Sequence, residues 1–383
     1  MTRLPATALL LAWAVVLTAC GGGSSNPNPP PPPPLSPSAF VYLSNTSVTA
    51  LTGVNVAGGQ PAKLTTALPS PGGNGPLGMV ATGKWLYIAN SGSGTVSGFS
   101  FNSSTGALQT LPGSPYMAGA NVSQLALCPG NGGLVLPRFV YAVTPSAVLG
   151  YSIAGTGRLT PLAGSPFTAG TLPAAILTDP ACNFVFVANR GSNDISVFSV
   201  GSTGFLTKIP GSPFAAGTAP VALAMGDGFL FAANSASNNV SVYNVSTTPG
   251  FGGGLLTQVA NSPFSAGTAP GALVYFSPTL YVANSISNDV SAFTVAARTG
   301  AFTPVIGSPF SVGTKPLAMI SLSPPANNLA QRTFLYVANA GSNNLSGFTI
   351  GPGGILTVVQ GFPFPAGSGP EGMVFACGNC GYP

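Results

Sequence analysis

The run Phe334-Leu-Tyr-Val-Ala-Asn339 is followed at once by Ala340-Gly-Ser-Asn-Asn-Leu-Ser-Gly-Phe348, and this pair of runs recurs along almost the whole chain. Earlier copies read Trp85-Leu-Tyr-Ile-Ala-Asn90, Phe184-Val-Phe-Val-Ala-Asn189, Phe229-Leu-Phe-Ala-Ala-Asn234 and Leu280-Tyr-Val-Ala-Asn284, with degenerate ones at Phe40-Val-Tyr-Leu-Ser-Asn45 and Phe139-Val-Tyr-Ala-Val143, seven in all. The asparagines at 189, 234, 284 and 339 are spaced by about 45 to 55 residues, the length of a four-stranded propeller blade. Shorter solenoid repeats fit poorly.

Two further signatures follow in each unit. One is Gly-Ser-Pro-Phe, as at Gly164 to Phe167, Gly211 to Phe214 and Gly307 to Phe310, with variants at Gly113 to Tyr116, Ser262 to Phe264 and Phe362 to Phe364. The other is a short apolar run usually entered by proline, as at Pro76, Pro220, Pro270, Pro316 and Pro370. Each unit then reads as four strands: the apolar run (A), the aromatic run (B), a Val-Ser-Val-Phe run such as Ile195 to Val200 (C), and a Gly-x-Leu-Thr run such as Gly204 to Lys208 (D). Clusters of Gly, Asn, Ser and Pro separate them where turns need positive or preset φ. Runs B and C carry apolar residues on both faces, which suits a blade held between two neighbours. The fold expected is an all-β, seven-bladed propeller. Because the domain opens with a B run at Phe40 and closes with an A run at Pro370 to Phe375, the last strand is expected to complete the first blade and remove the open sheet edges.

The chain begins with Met1-Thr-Arg3, an apolar stretch and Leu17-Thr-Ala-Cys20, a secretory signal over 1–19 that is too short to span a membrane. The four residues ending in Cys20 match a bacterial lipobox, so Cys20 is expected to be lipidated and to tether the chain to the membrane. An ordinary signal with a chance cysteine is the alternative. Gly21 in place of aspartate allows outer-membrane sorting. Residues 20–38, with proline unbroken from Pro29 to Pro34, are expected to form a semi-rigid polyproline II spacer ahead of the propeller at 39–383. Cys128, Cys182, Cys377 and Cys380 are an even set in an exported chain. In the strand frame Cys128 pairs with Cys182 and Cys377 with Cys380, although the terminal Cys-x-x-Cys also has the form of a redox or zinc pair.

Charged residues make up only 4% of the chain, against roughly a quarter in ordinary domains. The net charge of +5 comes from 10 basic and 5 acidic residues without a basic run, which disfavours nucleic-acid binding. With no histidine, the usual general base, serine partner and metal ligand is missing, and neither a metal nor a cofactor is expected. Asp194 and Asp289 in B to C turns and Glu371 at the start of an A run fall toward one face, with Arg190 and Lys315. Asp179 and Asp227 fall at the opposite face, where both are expected to cap turns. Asn189, Asn284 and their equivalents also reach the first face. They read either as turn residues that adopt the left-handed conformation and close the turn with their side chains, or as ligand contacts. The aromatic after each Ser-Pro reads as inter-blade packing or as a sugar platform. Glu371 interrupts positions that elsewhere carry Leu77, Val221, Gly271 and Leu317, and it is either a ligand-orienting carboxylate at the channel mouth or a solvated rim charge.

Together the Tyr-Val-Ala-Asn, Ser-Asn-x-Val-Ser-Val-Phe and Gly-Ser-Pro-Phe repeats resemble the YVTN family of β-propellers, which overlaps the seven-bladed lactonase family with its 6-phosphogluconolactonase-like and cycloisomerase-like enzymes. The resemblance covers Phe40 to Phe375. It implies a cleft at one propeller face, which in enzymes of the family carries His, Arg and acidic side chains, and this chain has no histidine to place there. The function expected is a membrane-tethered, monomeric, non-catalytic module that binds a protein or glycan partner. The alternative is a lactone hydrolase or cycloisomerase using Glu371, Arg190 and amide donors. A redox-partner role has no cofactor motif behind it.

Overall fold

A computed structural model describes residues 39–56, 61–64, 68–119, 121–128, 139–246, 253–322 and 333–377, all within one compact unit, Ser36–Pro383. The signal segment, Cys20, the linker and Cys380 lie outside the described residues, and so does the Cys377–Cys380 pairing.

Seven sheets form, each running A-B-C-D from the centre outward. Blade 4 is representative: A is Pro173–Thr178, B is Phe184–Asn189, C is Asp194–Val200 and D is Leu206–Lys208. The seven A strands each touch the next around a closed ring. As the repeat phase predicts, Pro370–Cys377 is the A strand of blade 1. It pairs antiparallel with the first B strand, Ala39–Asn45, from Ala39 opposite Cys377 to Asn45 opposite Pro370. In six blades a fifth, two-residue strand at the Ser-Pro-Phe motif, such as Phe214–Ala215, pairs with the start of strand C. This strand is not foreseen from the sequence, because two residues carry no periodicity.

The repeat forms blades because each B strand is buried on both faces. In blade 4, Val185 and Val187 pack with Tyr141 and Val143 of blade 3, whereas Phe184 and Phe186 pack with Leu230 and Ala232 of blade 5. Seven such clusters, one per neighbouring pair, constitute the core. Each fully buried Val or Phe contributes roughly 1.5–3 kcal/mol relative to exposure. Polar bonds lock the same interfaces: the hydroxyls of Tyr42, Tyr87, Tyr141 and Tyr281 donate to the carbonyls of Gly106, Gly157, Gly204 and Gly354 in the next blade at 2.6–2.8 Å. The predicted Cys128–Cys182 disulfide is present, with Cα atoms 5.3 Å apart, and ties blade 3 to blade 4. The Ser-Pro aromatics Phe214, Phe264, Phe310 and Phe364 join the inter-blade clusters, in agreement with the packing reading.

Candidate functional site at the channel mouth

Strand A enters from the face that carries the B to C turns, so the first residues of seven A strands converge there. They enclose a cavity of ≈ 180 Å³ on the propeller axis, lined in every blade by residues two to four of strand A or their equivalents. Most are Gly, Ala, Val, Leu, Ile or Met. Two bear functional groups: Glu371 of blade 1 and Gln124 of blade 3, both half-buried.

Glu371 is held by backbone. Its neighbour Gly372 lies so close to the Leu77 carbonyl of blade 2 that an added Cβ would collide with that oxygen, and Ser44 Oγ donates to the same carbonyl at 2.7 Å. Blades 2 and 3 are joined in turn by the Gly78 N–H donating to the Ser123 carbonyl at 2.8 Å. Gln124 stands in the register of Gly78, Ala175, Ala222, Ala272, Ala318 and Gly372, and is the only polar side chain of that layer. Sequence reasoning missed it because strand A of blade 3 lacks the entering proline that aligns the other runs. The signal was a lone polar residue where the other blades have Gly or Ala.

The remaining predicted residues fall outside this cavity. Arg190 and Lys315 are exposed on the same face and do not line it. Lys315 adopts φ 53°, and its backbone N–H donates to Asn288 Oδ1 at 2.8 Å. Asp194 and Asp289 each accept, at 2.6 Å, the Nδ2 of Asn189 and Asn284, which also donate to Ser196 and Ser291. Both asparagines are fully buried and bridge strands B and C. The turn reading therefore needs correction in one respect. These asparagines are extended strand residues, and the left-handed conformation belongs to Asn193, Asn238, Asn288 and Asn343 inside the turns, at φ 56–61°. The Oδ1 atoms of these four accept the N–H of Ala219, Ala269, Lys315 and Gly369 in the next blade, each at 2.8 Å.

On the opposite face the two aspartates differ. Asp179 caps its own turn by accepting the Phe184 N–H at 2.5 Å, and burial pushes its carboxyl above the ordinary value despite that bond. Asp227 does not cap; it accepts the hydroxyls of Ser277 at 2.6 Å and Tyr275 at 2.7 Å from the next blade. The Ser277 bond, then the Tyr275 bond, holds its carboxyl below the usual range, while burial and the Asp227 bond push Tyr275 up to about 12. Among the described residues, no group of three or more Cys, Asp or Glu could hold a metal ion, and no helix is long and apolar enough to cross a membrane.

What the cavity can do follows from its content. One carboxylate can accept hydrogen bonds or a proton, one carboxamide can both donate and accept, and aliphatic walls cover the faces of a ring. Among the described residues no cation lines it to neutralise a phosphate or carboxylate of a ligand.

Residues 147–260 match the family described as "Lactonase, 7-bladed beta-propeller", in accord with the resemblance carried by the repeats. No curated protein matches the chain. Among solved structures, a candidate 6-phosphogluconolactonase of Bacteroides fragilis is 20% identical, with a TM-score of 0.72 over 90% of this chain and 99% of that one. A second candidate 6-phosphogluconolactonase, from Bacteroides uniformis, is 17% identical with a TM-score of 0.71 over 89% and 100%. The periplasmic gluconolactonase of Pseudomonas aeruginosa is 16% identical, with a TM-score of 0.69 over 89% and 100%. At these identities the likeness is one of fold.

Proposed function

We propose that this lactonase-like seven-bladed propeller is a tethered binding module that holds a neutral sugar or glycan end at its channel mouth without turning it over. The observation that carries the reading is the presence of Glu371 and Gln124 on the lining of an otherwise aliphatic cavity of ≈ 180 Å³. That volume falls below the roughly 300–1,000 Å³ of sites for drug-sized ligands, while an apolar cavity of about 150 Å³ holds a benzene ring, so a single sugar ring is the natural scale of the occupant. A carboxylate and a carboxamide match hydroxyl groups as acceptor and donor. The want of a cation disfavours a phosphorylated ligand. In this reading Cys20 carries the lipid that anchors the chain in the bacterial envelope, residues 20–38 hold the propeller off the bilayer, and the protein acts as a monomer.

The reading is tested by calorimetric titration of the purified propeller against neutral sugars and sugar lactones, with hydrolysis followed in the same samples. Binding that weakens at least tenfold in both Glu371→Gln and Gln124→Leu, without turnover, is the expected result. Binding unchanged in both variants would overturn it.

The family match over 147–260 favours a second reading, a lactone hydrolase with Glu371 as the general base. Glu371 lies outside the matched segment, and no second titratable side chain lines the cavity to complete an acid–base pair. Lactone turnover abolished by Glu371→Gln would make the hydrolase the correct reading.

A further inference from the structure

Strand C of a blade bonds to strand D along its second half only, and where the ladder opens one C-strand N–H is left without a carbonyl. In blades 2 to 6 the serine of the Ser-Pro motif closes this gap. Its Oγ accepts the N–H of Gly98, Gly150, Val197, Val242 or Ala292, from Ser114, Ser165, Ser212, Ser262 and Ser308 respectively, at 2.8–3.1 Å. Blade 7 departs from the pattern, reading Gly361-Phe362-Pro363-Phe364. The equivalent residue is Gly347, whose carbonyl accepts the Val359 N–H at 2.9 Å and whose own N–H points the same way. Phe362 stands where the capping hydroxyl is elsewhere, with its ring within 2.6–2.7 Å of the place a Gly347 Cβ would occupy. Among the described residues no hydroxyl or carbonyl accepts the Gly347 N–H, although the residue is buried.

Gly347 lines a pocket of ≈ 230 Å³ between blades 6 and 7, walled by Val312 of blade 6 and by Phe348, Val358, Phe362 and Pro363 of blade 7. Val358 is 63% exposed at its mouth. No charged side chain lines the pocket, and it shares no residue with the axial cavity. A buried, unpaired N–H costs free energy comparable to a lost hydrogen bond, so an acceptor brought into this pocket gains what the serine supplies in the other blades. We infer that the pocket binds a small neutral molecule with an apolar ring and one acceptor oxygen, of the aryl ketone or aldehyde class, the oxygen taking the Gly347 N–H. A carboxylate fits less well, because a single donor does not compensate the desolvation of a full charge.

The test follows the Gly347 amide resonance in ¹⁵N-labelled propeller during titration with acetophenone, and with toluene as the probe of the same ring without the oxygen. Acetophenone is expected to move that resonance downfield and to bind roughly two- to tenfold more tightly than toluene. Two variants are expected to abolish the response. Phe362→Ser restores the motif and gives Gly347 an internal acceptor, and Val312→Phe fills the pocket from the neighbouring blade while leaving Gly347 and Phe362 intact. A Gly347 resonance unmoved by acetophenone up to its solubility, equal affinities for the two probes, or an undiminished response in Val312→Phe overturns the inference, and the donor then serves solvent only.

Discussion

Asn343 accepts the backbone N–H of Gly369 through its side-chain Oδ1 at 2.8 Å, a bond from the B to C turn of blade 7 to the residue just ahead of the strand that completes blade 1. The same bond links blades 4 to 5, 5 to 6 and 6 to 7, and here it fastens blade 7 to the strand that completes blade 1. Asparagine serves at Asn343 because it tolerates φ 57° and carries a short acceptor. Asn343→Gly keeps the conformational freedom and loses the acceptor, whereas Asn343→Ala loses both. The expected order of stability in urea unfolding is wild type, then Gly lower by about 1 kcal/mol, then Ala lower by a further ~1 kcal/mol. Equal midpoints for the Gly and Ala variants would contradict this account.

Removal of the closing strand has a larger consequence. Deleting from Pro370 onward uncovers the edge of strand Ala39–Asn45 and exposes Val41, Leu43 and Tyr336, all buried in the intact ring. The truncated protein is expected to lose its cooperative thermal transition and to aggregate on size-exclusion chromatography. A monomer that melts with the intact protein would show that the interlock carries no stability.

Between blades, the aromatic of strand B acts through its hydroxyl as well as its ring. Tyr42→Phe and Tyr87→Phe each strand a buried carbonyl, of Gly106 and Gly157, and are expected to cost about 1 kcal/mol by chemical denaturation. Tyr336→Phe is the control, since its hydroxyl has no hydrogen-bond partner among the described residues, and it is expected to be neutral or slightly stabilising. If all three substitutions cost the same, the hydroxyl bonds are not what the tyrosines contribute.

The two aspartates of the opposite face give pH dependences of opposite sign. Asp227 has a folded pKa below its ordinary 3.8, so its contribution is complete above that value and is lost as pH falls through the lower folded one. Asp179 has a folded pKa above 3.8, so its contribution is complete below that value and is lost as pH rises through the higher folded one. Unfolding midpoints measured across the acid range should show a shallower acid decline in Asp227→Asn than in wild type, and the reverse trend should be missing in Asp179→Asn. An acid limb identical in wild type and Asp227→Asn removes the basis for the Ser277 and Tyr275 bonds.

The proposed anchor is read from the mature N-terminus. Mass spectrometry of the first peptide is expected to show diacylglycerol on Cys20, and Cys20→Ala is expected to release the protein from the membrane fraction. An unmodified N-terminus at another residue refutes the tether.

The sequence by itself determined the blade count, the strand order within a blade, the ring closure and the Cys128–Cys182 pairing. Each of these follows from recurrence: a unit that buries both faces of its B strand requires identical neighbours, and the phase of the unit at the two ends leaves one way to complete the first blade. Recurrence also marked the asparagines, but not their division of labour. Residues four apart in one turn, Asn189 and Asn193, are alike in composition, and only φ and the partners of each amide separate the extended strand residue from the left-handed latch. The sequence put Glu371 at the channel mouth, and tertiary structure alone decided what shares the axial site with it. Glu371 and Gln124 are separated by most of the chain and belong to blades 1 and 3; they line one cavity because seven inner strands converge on one axis, an arrangement that no local pattern encodes. The same convergence left Arg190 and Lys315 outside: Lys315 precedes strand A of blade 7, Arg190 follows strand B of blade 4, and both side chains are exposed on the face rather than on the channel lining.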